Sequence, residues 1–149
     1  MKTTRGLRVA VSVATLGLIG LSSSAVSVMS ASAAGKPKVV VTPSTNLKSG
    51  ETVSVAGSGF TPGDTVYVVE CLVKAKGEAG CAVNGIPTGL TISSTGKLPR
   101  SKLKVLEGKI GNGKCGTTKA NLKACAVSVG NINGKDSGVG AIIFKAPLK

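Results

Sequence analysis

Thr65-Val-Tyr-Val-Val-Glu-Cys-Leu-Val73 is the most apolar run of the chain after residue 33. Its valines suit a pleated backbone, and its length suits a strand better than a helix. Alternation puts Tyr67, Val69, Cys71 and Val73 on one face and Val66, Val68, Glu70 and Leu72 on the other. Both faces are largely apolar, which predicts a central strand covered on both sides. Thr61-Pro-Gly-Asp64 leads into it as a turn, because Pro presets φ and Gly accepts a positive one.

Outward from this strand the chain reads as β throughout. Lys38–Thr42 stops at Pro43, as an edge strand can. Ser49-Gly50 turns into Thr52–Ala56, whose Val53 and Val55 share a face. Gly89–Ser93 and Lys97–Leu106 flank a Thr95-Gly96 turn and predict a hairpin. Glu107–Lys114 reads as a loop, Lys123–Gly130 as a strand before Asn133-Gly134, and Gly140–Lys145 as the last strand. About seven or eight short strands without a helical period predict an all-β sandwich, its Val faces packed inward.

Four cysteines form two equally spaced pairs, Cys71 with Cys81 and Cys115 with Cys125. Four allow three connectivities. The pairing 71–81 and 115–125 is favoured because short loops close most easily, each removing about 2.7 kcal/mol of unfolded-state freedom in the chain-entropy model. The amino terminus points to the compartment. Lys2, Arg5 and Arg8 precede an uncharged apolar run, Val9–Val28, and Ala31-Ser-Ala33 has the small-x-small pattern of a signal-peptidase site. Residues 1–33 are therefore expected to be a Sec-type secretory signal peptide, with 34–149 as one secreted domain in an oxidising compartment. The alternative is a membrane anchor, which Ser12, Ser22–Ser24 and Ser27 weaken.

Removing residues 1–33 leaves sixteen basic against six acidic residues, a net +10. Such a charge attracts polyanions, or simply keeps the surface solvated. In Arg100-Ser-Lys-Leu-Lys-Val105 the cations Arg100, Lys102 and Lys104 point one way, and Leu103 and Val105 point to the core. This row is a candidate site for weak, sequence-independent DNA or other polyanion binding. Its alternative is a charge row guarding an edge strand. Phe60, Phe144 and Tyr67 are the only aromatics, few for a single-strand binder that stacks bases.

The segments Val41-Thr-Pro-Ser-Thr-Asn-Leu-Lys-Ser-Gly50 and Thr52-Val-Ser-Val-Ala-Gly-Ser-Gly-Phe-Thr-Pro-Gly63, then the Val-rich strand into Cys71, resemble the neocarzinostatin family. Asp136-Ser-Gly-Val-Gly140 and Ala141-Ile-Ile-Phe144 resemble that family's final loop and strand. The match runs in order along nearly all of the mature chain. It implies an immunoglobulin-like sandwich of seven strands with a small hairpin ribbon and two disulfides, the first being Cys71–Cys81. It also implies a non-enzymatic carrier that holds an enediyne-like antibiotic chromophore in a cleft between the sandwich and the ribbon carrying Cys71 and Cys81. The chain departs from the studied carriers in being basic. It has Val73 and Ile86 where they place aromatics, and Ala126 where the best-known member has a polar residue. Cleft walls are expected at Val73, Ile86, Ala126 and Ser128. Lacking an aromatic floor, they would take a small apolar ligand weakly.

Enzymatic readings find little support. The chain has no His, so Ser-His and Cys-His pairs and His-ligated metals are excluded. No catalytic residue, metal or cofactor is expected, and a monomer is. Glu70, inside an apolar strand, is expected to pair with a nearby lysine. The second functional reading is a basic immunoglobulin-like surface module that binds polyanions and keeps only a vestigial cleft.

Overall fold

The computed structural model describes residues 35–74, 77–82 and 89–147. Among the described residues, nine strands are arranged as three sheets. β1 (Lys38–Thr42), β2 (Thr52–Ser58) and β5 (Lys97–Lys104) form an antiparallel sheet in the order β1-β2-β5. β4 (Leu90–Thr91), β3 (Thr65–Leu72), β8 (Cys125–Gly130) and β9 (Ser137–Ala141) form the second, in the order β4-β3-β8-β9. β6 (Gly108–Ile110) and β7 (Gly113–Cys115) make a two-stranded ribbon. Seven sandwich strands plus a ribbon is the architecture expected of an immunoglobulin-like domain.

The core lies between the two large sheets. Val53 and Val55 of β2 meet Val66 and Val68 of β3 and Val127 and Val129 of β8, all fully buried. The two phenylalanines close this core. Phe60 follows β2, and its N–H bonds the carbonyl of Gly96 just ahead of β5. Phe144 donates to the carbonyl of Leu122 ahead of β8 and bridges to Leu47. Both are 2 % exposed or less, so neither is available to a ligand. Asp136 ties the β8–β9 turn to the turn before β3, its Oδ2 accepting from the Thr61 N–H at 2.8 Å.

Five expectations change. Leu90–Thr91 and Lys97–Lys104 do not pair with each other: β4 joins β3 and β5 joins β2. The Ser93–Gly96 turn is real, with Gly96 N–H on the Ser93 carbonyl, but there the chain crosses from one sheet to the other. Turn chemistry is local and does not say which sheet each arm enters. The last strand is Ser137–Ala141 rather than Gly140–Lys145. Its glycines are the reason. A Cβ on Gly140 would come within 2.6 Å of Val41 Cγ2, and one on Gly138 within 2.9 Å of Val39 Cγ2. Only residues without side chains let β9 close against β1.

The remaining three concern the ribbon and β3. Glu107–Lys114 is largely the ribbon rather than a loop, and Cys71 belongs to β3 of the sandwich rather than to a ribbon. Among the described residues, strand β3 is covered on one face only. Val66, Val68 and Glu70 are buried, whereas Tyr67 and Val69 are half-buried on an open side.

Both disulfides link the favoured partners. Cys71–Cys81 joins β3 to the segment that returns along its edge, where Cys71 and Cys81 face each other as a bridge and Ala82 N–H bonds the Glu70 carbonyl. Cys115–Cys125 fastens the ribbon to the first residue of β8.

Candidate functional site

The outer face of the four-stranded sheet is a trough, and strand register builds it row by row. Tyr67 stands opposite Gly130, which stands opposite Ser137. Val69 faces Ser128, which faces Val139. Cys71 faces Ala126, which faces Ala141. The middle strand therefore offers Ala126, Ser128 and Gly130, with the larger Cys71, Val69 and Tyr67 on one side and Val139 on the other. Small residues between larger ones make the floor of a cleft. The Cys71–Cys81 disulfide and Glu78 wall one end, and Ile132 and Val139 stand on the far side.

The cleft encloses about 560 Å³. Its rim is unusually apolar for a surface. Val73, Ile132 and Val139 are 58 %, 78 % and 62 % exposed, and all three border it. Exposed apolar side chains scattered singly are ordinary, but a contiguous group around a concavity marks a binding surface. Ser128 supplies a hydroxyl at the centre of the floor.

Of the four cleft residues expected from the sequence, Val73, Ala126 and Ser128 line this cleft. Ile86 lies outside the described residues. Tyr67 is the residue the sequence argument missed. It lines the cleft, so the floor has one aromatic where none was expected. The signal was present in the alternation, which puts Tyr67 on the same face as Val69 and Cys71. The cleft lies on the sheet face bounded by the Cys71–Cys81 disulfide and Glu78, and residues 75–76 and 83–88 on either side of that segment lie outside the described residues.

Glu70 occupies the opposite face of the same strand. It is 3 % exposed. Its Oε2 accepts the Leu106 N–H at 2.8 Å, so its partner is a backbone donor rather than a lysine. The even-numbered face of β3 points into the core, where a backbone N–H can reach and a solvated ammonium gains nothing. Burial pushes this carboxyl up from 4.5 to about 7, opposed by the Leu106 hydrogen bond. Oε1 lies 3.7 Å from Cys115 Sγ. Glu70, Cys115 and Cys125 bring possible ligand atoms within 4.8 Å of one another. Both sulfurs are spent in the disulfide, so the group is not a metal centre.

Arg100, Lys102 and Lys104 are exposed on β5, an edge strand of the other sheet. Lys102 stands opposite Ser54 and Lys104 opposite Thr52. The structure does not bring this row to the cleft.

The protein is thus a small disulfide-bonded β-sandwich with an attached ribbon and an apolar trough on one outer sheet face. The chain belongs to the neocarzinostatin family: the model of the Neocarzinostatin family matches residues 39–144. It is 37 % identical to macromomycin of Streptomyces macromomyceticus over 112 residues, covering 72 % of this chain and 74 % of that protein. The solved structure of macromomycin matches with a TM-score of 0.53 at 35 % identity, over 72 % of this chain and 98 % of the other. The solution structure of apokedarcidin matches with a TM-score of 0.52 at 25 % identity, over 74 % and 99 %.

Proposed function

We propose that the protein is a secreted, non-enzymatic carrier that holds a small apolar ligand of the enediyne-like class in the outer cleft. The observation that carries this reading is the trough itself: a concavity of about 560 Å³, floored by small residues, rimmed by exposed Val73, Ile132 and Val139, with Tyr67 as its aromatic surface. That volume falls in the range of about 300–1,000 Å³ usual for small-molecule sites. Family membership supports the same role. One ring can stack against a flat ligand, which favours moderate rather than weak binding.

Titration with a stable enediyne fragment tests the proposal. Binding is expected, with loss in Ser128→Trp, whose indole fills the floor. No binding at any soluble concentration would overturn it. Export rests on residues 1–33, which lie outside the described residues. Amino-terminal sequencing of secreted material should find Ala34 or Gly35. An intact Met1 end in a membrane fraction would overturn export.

A second reading, weak polyanion binding, rests on one observation, the exposed row Arg100, Lys102 and Lys104. Counterion release would make such binding fall steeply with salt. Charge reversal at all three should flatten that dependence on duplex DNA. An unchanged slope would leave the row as protection for the β5 edge.

A further inference from the structure

A second groove lies across the end of β3 from the cleft, between that strand and the ribbon. It encloses about 710 Å³. Leu72, Ala120 and Ala124 give it apolar walls, and Lys74, Lys114 and Lys123 border it. These lysines come from three separate places: the exit of β3, strand β7 and the approach to β8. No carboxylate lines the groove among the described residues.

Two further observations point to an anion. The first is the placement of the acids. Of the six in the chain, Glu78 alone is exposed rather than half-buried or buried. Glu51 caps the Lys48 N–H, Asp64 accepts from Thr65 N–H and Asn131, Glu70 accepts from Leu106 N–H, and Asp136 from Thr61 N–H. These carboxylates are held by backbone and amide donors. Glu107, half-buried just before the ribbon, is the sixth acid, and none of the six lines the groove. The second observation is in the ribbon. Lys109 and Lys114 stand directly opposite each other in the β6–β7 register, and both are exposed. Like charges opposed across a strand pair destabilise it. An anion lying beside them would relieve that repulsion.

We propose that this groove is a second binding site, distinct from the cleft, for a small organic anion: a carboxylate held by Lys74, Lys114 and Lys123, with an aliphatic body against Leu72, Ala120 and Ala124. The apolar walls and the cationic border fit the two ends of one amphiphile. Simple inorganic anions would satisfy the lysines and leave the walls wet.

Octanoate and octanol are the probes, followed by calorimetry and by backbone amide shifts of the labelled protein. Octanoate should bind and move the amides of Lys74, Asn112–Lys114 and Ala120–Ala124, which border this groove alone, whereas Leu72 and Val73 border the cleft as well. Octanol should bind at least about tenfold more weakly. Octanoate affinity should fall as ionic strength rises from about 0.01 M to about 1 M, where screening shortens from about 30 Å to about 3 Å. The triple variant Lys74→Gln, Lys114→Gln, Lys123→Gln should lose about tenfold in affinity. All three positions are exposed, so it should fold normally, as far-ultraviolet circular dichroism would verify. Ser128→Trp should leave octanoate binding unchanged, since it blocks the cleft alone. Equal binding of octanol and octanoate, wild-type affinity in the triple variant, or shifts confined to Val69, Ser128 and Val139 would each overturn the proposal.

Discussion

The two faces of β3 are only a peptide unit apart along the chain, yet they do different work. Its inner face, Val66, Val68 and Glu70, is sealed between two sheets. Its outer face, Tyr67, Val69 and Cys71, lines a cleft, with Tyr67 and Val69 half-buried and Cys71 buried. Both are mostly apolar, so composition does not separate them. What separates them is the layer on the other side. The inner face has a second sheet against it. Among the described residues, the outer face has the small residues of β8 beside it and the short segment 77–82 at one end. An apolar face without a covering layer is a place for a ligand rather than a core.

That contrast can be broken most sharply by placing the same charge on each face. Val68→Asp buries an unpaired carboxylate in the core and should cost about 4 kcal/mol or more, enough to unfold much of the protein. Val69→Asp, one residue away, should cost under about 1 kcal/mol while abolishing binding of an apolar ligand in the cleft. Denaturant midpoints compare the two. Equal losses would mean that the outer face is covered after all.

The titratable group of the inner face supplies the next test. Glu70 titrates at about 7 when folded, against 4.5 for the free carboxyl. Between these values the folded state binds more protons than the unfolded state. Its contribution is therefore complete below about pH 4.5, falls as pH rises towards about 7, and then levels off. The full span is worth about 3 kcal/mol. Glu70→Gln keeps an acceptor for Leu106 N–H and cannot ionise. It should match the wild type at acid pH and exceed it in stability at pH 8. A difference between the two that does not change with pH would show that Glu70 is not buried as a neutral acid.

The disulfides sharpen the comparison at a smaller scale. Each closes a ten-residue separation, so removing either pair by Cys→Ala should cost about 2.7 kcal/mol in loop entropy. Their functional effects should differ. Cys71–Cys81 walls the cleft, and its loss should weaken the apolar ligand. Cys115–Cys125 lies on the buried side beside Glu70, and its loss should leave cleft affinity unchanged while the protein remains folded. The smallest effect is expected at Tyr67. Tyr67→Ala should cost a flat apolar ligand about 0.5–1.5 kcal/mol beyond the area lost. Fold stability should change little. Unaltered ligand affinity would remove Tyr67 from the cleft floor's binding surface.

Much of this arrangement was legible in the residues. The alternation through Thr65–Val73 sorted the side chains into their two sets. The run Cys125–Gly130 already showed small residues on one side and Val127 and Val129 on the other. The β6–β7 ribbon was not legible, because Gly108, Gly111 and Gly113 deplete its strand propensity and only Ile110 is β-branched. A Cβ on Gly113 would come within 2.6 Å of Leu72 Cδ1, so the ribbon's composition answers a close approach to β3 rather than a local preference. Strand β9 hid for the same reason, its glycines chosen by Val39 and Val41 across the sandwich.

By itself, then, the sequence determined the strand class, the two local cysteine pairs, the absence of histidine chemistry and the basic surface. Each follows from residue type or short-range spacing, which act without reference to distant segments. Only the tertiary structure decided which face of β3 became core and which became cleft. Tertiary contacts likewise sent the arms of the Ser93–Gly96 turn into different sheets and turned Glu70 towards Leu106. They also gathered Lys74, Lys114 and Lys123 around one groove. Those outcomes depend on which remote segment packs against a given side chain, and alternation with a period of two is the same whether the face it defines is covered or bare.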